Sequence, residues 1–132
     1  MTAEVRFTNP ATIARPMGYS NVVEVSNGRM IFIAGQSAID PNGNVVGAGD
    51  MRAQAEQVFQ NIQAALEAVG ATFQQVVKLS YYMTDISQIA AIREVRDRYI
   101  NTAKPPVSTA VEVRRLFREE FMIEVEAVAV VP

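Results

Sequence analysis

The sequence predicts a mixed domain of order β-β-α-β-α-β-β, with two helices on one face of a sheet. Three observations carry this expectation. Strand-like runs flank Asn27-Gly28, two amphipathic helical stretches each lie between strands, and two β-branched segments close the chain. At 132 residues the chain is expected to be one domain spanning 1–132.

The elements follow in order. Val22-Val23-Glu24-Val25 and Met30-Ile31-Phe32-Ile33 bracket Ser26-Asn27-Gly28-Arg29. Asn-Gly supplies the positive-φ residues of a type I′ turn, so a hairpin is expected here. Gly35-Gln36 ends the second strand, and Asp40-Pro41-Asn42-Gly43-Asn44 reads as a turn. Asp50 caps a helix in which Met51, Ala55, Val58, Phe59, Ile62, Leu66 and Val69 recur at spacings of three and four. Arg52, Gln54, Glu56, Gln57, Gln60 and Gln63 fill the polar side of about five turns. Gly70 terminates that helix. Residues 76–84 then alternate, with Val77, Leu79, Tyr81 and Met83 on one face. Asp85 or Ser87 caps a second helix striped by Ile89, Ile92, Val95 and Tyr99, and Pro105-Pro106 forbids its continuation. Strands near 108–113 and 123–131 close the chain, with room for short extra strands near Val5 and Val45.

The last strand also bears on assembly. Ile123, Val125, Ala127, Ala129 and Val131 point one way, Val128 and Val130 the other. A strand apolar on both sides is buried on both sides. Two helices cover one face, so a second subunit is expected over the other.

Composition narrows the chemistry. The apolar fraction is 49%, the charged fraction 20% and the net charge −2, so a nucleic-acid partner is not expected. The chain has no His and no Cys. That excludes the usual zinc sites, thiol nucleophiles, disulfides and imidazole triads, and no cofactor motif is present. Neither a leader nor a membrane-spanning run is visible, and a cytoplasmic location is the default expectation.

Carboxylates are the strongest candidates for chemistry. Glu112, Glu124 and Glu126 sit among small and β-branched residues, where an acid is costly unless something uses it. Parity puts Glu124 and Glu126 on one strand face with Val128 and Val130. At a subunit interface they can orient a water or take a proton. The bland alternative is pairing with Arg114, Arg115, Arg118 or Lys78, or simple solvation. The basic turn at Arg114-Arg115-Leu116-Phe117-Arg118 reads as solvated charge. Tyr19, in Pro16-Met17-Gly18-Tyr19-Ser20, either caps a pocket or packs with its hydroxyl exposed. Tyr81 and Tyr82 read as packing. Gly35 either lets a ligand approach the backbone or merely ends a strand.

Pro105-x-x-Ser108-Thr109-Ala110-Val111-Glu112-Val113, followed by Ile123-Glu124-Val125-Glu126-Ala127-Val128-Ala129-Val130, resembles the reactive intermediate deaminase (Rid) family, also called YjgF or L-PSP endoribonuclease. The Gly18-Tyr19 loop, Ile33-Ala34-Gly35-Gln36 and residues 76–85 extend the likeness to about 18–131. The resemblance implies a chorismate-mutase-like α+β fold and a homotrimer with clefts between subunits. It further implies hydrolysis of enamines and imines released by pyridoxal-phosphate enzymes, giving ketoacids and ammonia. Residue by residue, Glu124 matches the glutamate that orients the attacking water, Tyr19 the loop tyrosine, and Gly35 the glycine whose backbone meets the ligand. Ala34 stands before that glycine, without a hydroxyl. Ser108 stands where active deaminases carry the arginine that clamps a substrate carboxylate, and Ala110 where a cysteine is common. A guanidinium grips a carboxylate bidentately, whereas serine offers one neutral donor. The expected substrate is therefore an imine or enamine whose anchoring group suits Ser108, with Arg15 and Arg93 as substitutes to look for in the cleft. Two alternatives are a non-catalytic trimer that binds a metabolite or regulates a partner, and a ribonuclease. The missing histidine counts against the last.

Overall fold

The computed structural model describes residues 2–132. Its strands are β1 (Glu4–Thr8), β2 (Val22–Asn27), β3 (Arg29–Gln36), β4 (Val76–Met83), β5 (Val107–Glu112) and β6 (Ile123–Val131). The helices are α1 (Met51–Ala68) and α2 (Ile89–Asp97). Strands β3-β6-β4-β5 form a mixed sheet in which β4 and β5 run parallel and β6 antiparallel to both its neighbours. The α+β class and the element order are as expected, with β1 as the extra strand near Val5 and a single bridge, Ile39 to Val45, at the other.

Both helices lie on one face of this sheet. From α1, Met51, Ala55, Val58, Phe59, Ile62 and Leu66 join Leu79, Tyr81, Met83, Ile123, Val125, Ala127 and Ala129 in one core. From α2, Ile92 and Val95 complete it. The Phe59 ring meets those of Tyr99, Phe73 and Tyr81 at centroid distances of 5.4, 5.9 and 6.5 Å, a favourable range for aromatic pairs. The Asp50 carboxylate accepts from the Ala53 N–H at 3.1 Å, and Gly70 takes φ +74° just beyond the last turn, where glycine carries no steric penalty.

Four details depart from the sequence reading. The Asn27-Gly28 hairpin does not form. β2 pairs with β1 and β3 with β6, so the chain passes between sheets at Gly28, whose φ is +133°. A β-carbon there would lie 2.7 Å from a Val130 methyl, so packing also requires glycine. Second, the β4–β6 register shifts between Val76 and Lys78. A bulge inserts one residue and reverses parity locally. Val76 therefore enters the core, while Val77 turns to the other face beside Val5 and Val130. Third, Asp85 caps a 3₁₀ turn, Ile86–Gln88, and α2 begins after it without a side-chain cap. Fourth, Gln54 lies on the buried side of α1. Its amide donates to the Gly47 and Glu120 carbonyls at 3.1 and 2.8 Å and accepts from the Met122 N–H at 2.8 Å.

The face of the sheet away from the helices is half covered. The β1–β2 ribbon lies over Val77 and Val130 at one end. Beyond it, Phe32 is 74% exposed and Met30 52% on edge strand β3. These two pair across the sheet with Val128 and Val130. A bare apolar strip on a sheet face is unusual for a lone soluble chain.

Candidate functional site

The candidate residues fall into two groups on opposite faces of the sheet. Glu124 and Gly35 make the first, on the bare face. The β3–β6 register shifts between Ile33 and Gln36, which turns Gly35 toward Glu124. A β-carbon on Gly35 would lie 2.4 Å from Glu124 Oε2, far inside contact distance. Gly35 has no positive φ, so it is required for space alone. The Ser37 hydroxyl donates to Glu124 Oε1 at 3.3 Å. Helix α1 fixes that serine. The Asn61 amide donates to the Ser37 and Ile39 carbonyls at 3.1 and 3.0 Å, and its oxygen accepts from Gln57 at 2.8 Å. The Glu124 carboxylate is thus seated on backbone and held at one oxygen.

Glu126 shares this face but is already engaged. Its Oε1 accepts from the Tyr82 hydroxyl at 2.9 Å. That bond, together with the carboxylate's charge, holds the Tyr82 phenol above its ordinary pKa. Glu112 stands apart from both. Its carboxylate accepts from the Ile86 N–H at 3.1 Å at the start of the 3₁₀ turn, so it caps that turn. Arg114, Arg115 and Arg118 are exposed, as the solvated reading expected, with the Arg118 guanidinium 5.8 Å from the Phe121 ring centroid.

The second group faces the helices. Ser108 pairs with Leu79 and Ala110 with Tyr81, which places both on the core-facing side of β5. With Tyr19 they line a cavity of about 380 Å³ between α2, β4 and β5. The Tyr19 loop is pinned to the β5 approach by Ser20, whose hydroxyl donates to the Pro105 carbonyl at 2.5 Å and whose N–H donates to Pro106 at 3.2 Å. Met17, Met83, Ile86, Ile89 and Ile92 supply apolar walls. Arg93 and Arg96 also line the cavity; Arg15 does not. Sequence reasoning named Arg93 but missed Arg96, which is only 8% exposed, and took Tyr81 for packing. The signal for Arg96 was available. Positions 89, 92, 93 and 96 follow the spacing of one helix face.

Within one chain the candidate residues therefore form two groups that do not meet. Tyr19, Ser108 and Ala110 belong to one, Glu124 and Gly35 to the other. Among the described residues no helix is long and apolar enough to cross a membrane.

Two helices over one face of a mixed sheet, with a carboxylate seated over glycine on the other, define an α+β chain of the class the closing strands pointed to. The family model described as Endoribonuclease L-PSP matches residues 9–131. A RutC family protein of Pyrococcus abyssi is 41% identical over 98% of both chains. The 2-iminobutanoate/2-iminopropanoate deaminase of Salmonella typhimurium is 33% identical over 80% of this chain and 83% of its own. The crystal structure of YyfB from Yersinia pestis, described as a Rid-family protein of unknown function, superposes with a TM-score of 0.88 at 36% identity, covering 96% of this chain and 98% of that one. The chain belongs to the Rid/YjgF family.

Proposed function

We propose that the chain hydrolyses imines or enamines at clefts between copies of itself, in a homotrimer. The observation that carries this reading is the Glu124 carboxylate seated on Gly35 and steadied by Ser37. A protonated imine carbon is already electrophilic, so a positioned water and one base suffice. Glu124 takes a proton as water adds to the C=N carbon. Glu124 returns that proton to the carbinolamine nitrogen, the C–N bond breaks as the C=O bond forms, and the hydroxyl proton leaves with the ammonia as ammonium. The name of the Salmonella relative, a 2-iminobutanoate/2-iminopropanoate deaminase, supports the reaction class. The test is ammonia release across a panel of enzymatically generated imines, with Glu124→Gln as the control. No acceleration for any substrate would sink the proposal.

The division of the site supports assembly. A second copy laid on the bare face would bring its Tyr19–Ser108 half against Glu124 and cover Phe32 and Met30. Phe32→Asp is expected to convert the trimer to monomer, read by light scattering after gel filtration, because it buries an unpaired charge in the interface. An unchanged mass would remove this face from the interface. Gly35→Ala is expected to displace the carboxylate by a large part of an ångström and lower turnover about 100-fold. Wild-type turnover in that variant would show that the seat is not used.

The second reading, a trimer that binds a metabolite without turning it over, is favoured by Ser108 in place of the clamp arginine. Turnover that disappears in the Glu124→Gln variant excludes it.

A further inference from the structure

We propose that α2 supplies the anion clamp that position 108 lacks: Arg96 and Arg93, with the hydroxyls of Tyr81 and Ser108, bind the carboxylate of a substrate whose apolar side chain lies against Met83, Ile89 and Ile92. That the ligand is a substrate rests on the reaction proposed above. That it is an anion with an apolar tail rests on the cavity itself.

Arg96 is a guanidinium buried to 8% exposure. A buried charge is costly unless it is paired and fully hydrogen-bonded. Among the described residues its ion-pair partner is Asp97, whose Oδ1 accepts from Nε at 2.9 Å and from Nη2 at 2.8 Å. Both bonds fall on one oxygen of a side chain that is half exposed. Three of the five guanidinium donors remain unused by this pair. Gly18 makes room for the group. A β-carbon there would lie 3.0 Å from Arg96 Nη2, at a backbone φ of +82°.

Tyr81 points independently to a ligand. It is 4% exposed, lines the cavity, and its hydroxyl has no hydrogen-bond partner of good geometry among the described residues. Burial pushes the Tyr81 phenol up, and the nearby Arg96 guanidinium, through its charge and its donors, pulls the other way, although the pair falls short of good hydrogen-bond geometry. Leaving a buried hydroxyl unmade is costly, and a ligand oxygen beside Arg96 satisfies it. The Phe59 ring packs at 6.5 Å from the Tyr81 ring, so the phenol is held in place for that role.

The rest of the cavity selects the tail. Its volume of about 380 Å³ is at the small end of metabolite sites. Met17 and Met83 line the cavity from the loop and from β4, and Ile89 and Ile92 lie beside the arginines on the same face of α2. A second charge on the ligand would be desolvated against these apolar side chains without a partner. The clamp therefore favours monocarboxylates with branched or aromatic chains over dicarboxylates.

The test uses the full chain and an unreactive acid, 4-methyl-2-oxopentanoate, compared by calorimetry with its neutral analogue 4-methylpentan-2-one and with 2-oxoglutarate. The branched acid is expected to bind at least about tenfold more tightly than either. Arg96→Gln is expected to remove at least about tenfold of that affinity, and Arg93→Gln, on an exposed side chain, a smaller factor. Equal binding of acid and ketone, no binding of any probe, or no loss in either arginine variant would overturn the clamp. If the acid binds as expected but no imine is hydrolysed, the reaction fails and the clamp stands. Hydrolysis that proceeds equally on acidic and neutral imines defeats the clamp and leaves the reaction.

Discussion

Replacing Glu124 by Gln is expected to lower imine hydrolysis about 10²–10⁴-fold, the range for losing a positioned general base. The variant is well controlled by its surroundings. Glutamine has the shape of glutamate, and its amide oxygen can keep the 3.3 Å bond from Ser37. What it loses is the ability to take a proton. Fold and oligomeric state should match the parent by circular dichroism and light scattering, so the rate reports the carboxylate alone. Glu126→Gln serves as comparison. Its carboxylate is occupied by Tyr82 on the same face, and a much smaller loss is expected. Equal losses in both variants would mean that the face needs negative charge rather than a base at 124. An unchanged rate in Glu124→Gln would take this residue out of the mechanism.

Local sequence determines some elements of this fold and leaves others to tertiary pairing, for physical reasons. The stripe of α1 was legible because a helix buries one face, and its spacing is written directly in Met51, Ala55, Val58, Phe59, Ile62 and Leu66. The alternation in β6 was legible for the same reason at period two. The Asn27-Gly28 hairpin was not, because turn propensity is local. Here the pairing of β2 with β1 and β3 with β6 overrides it. Val77 was misplaced because a bulge changes parity with no residue type to announce it. The candidate site shows the same divide. Parity within β6 put Glu124 and Glu126 together correctly. Nothing within a strand tells how it is registered to its neighbours, so the separation of Ser108 from Glu124 emerges only from the pairing of β5, β4 and β6.

The polar residues of the helices teach the complementary lesson, and one of them carries the largest expected effect on stability. Gln54 looks like solvent-side filling on α1, yet it is fully buried. It is accommodated because all its hydrogen-bonding capacity that reaches backbone is used: Gly47, Glu120 and Met122 each take one bond. The residue thereby ties α1 to the loop that delivers β6, and so to Glu124. Gln54→Leu keeps much of the volume but strands the Met122 N–H and two carbonyls. Each unmade buried bond costs about 1–3 kcal/mol, and Glu120 is exposed enough for water to reach its carbonyl. The expected net loss is about 2–3 kcal/mol, or a fall in Tm of about 8–12 °C for a chain of this length. Gln63→Leu, on the exposed side of the same helix, is expected to change stability by no more than about 0.5 kcal/mol. Urea unfolding of the two variants decides the matter. If they behave alike, the Gln54 bonds hold nothing that solvent or apolar packing does not hold as well. If Gln54→Leu alone falls, its pairing with the 120–122 backbone is what holds α1 to the loop leading into β6.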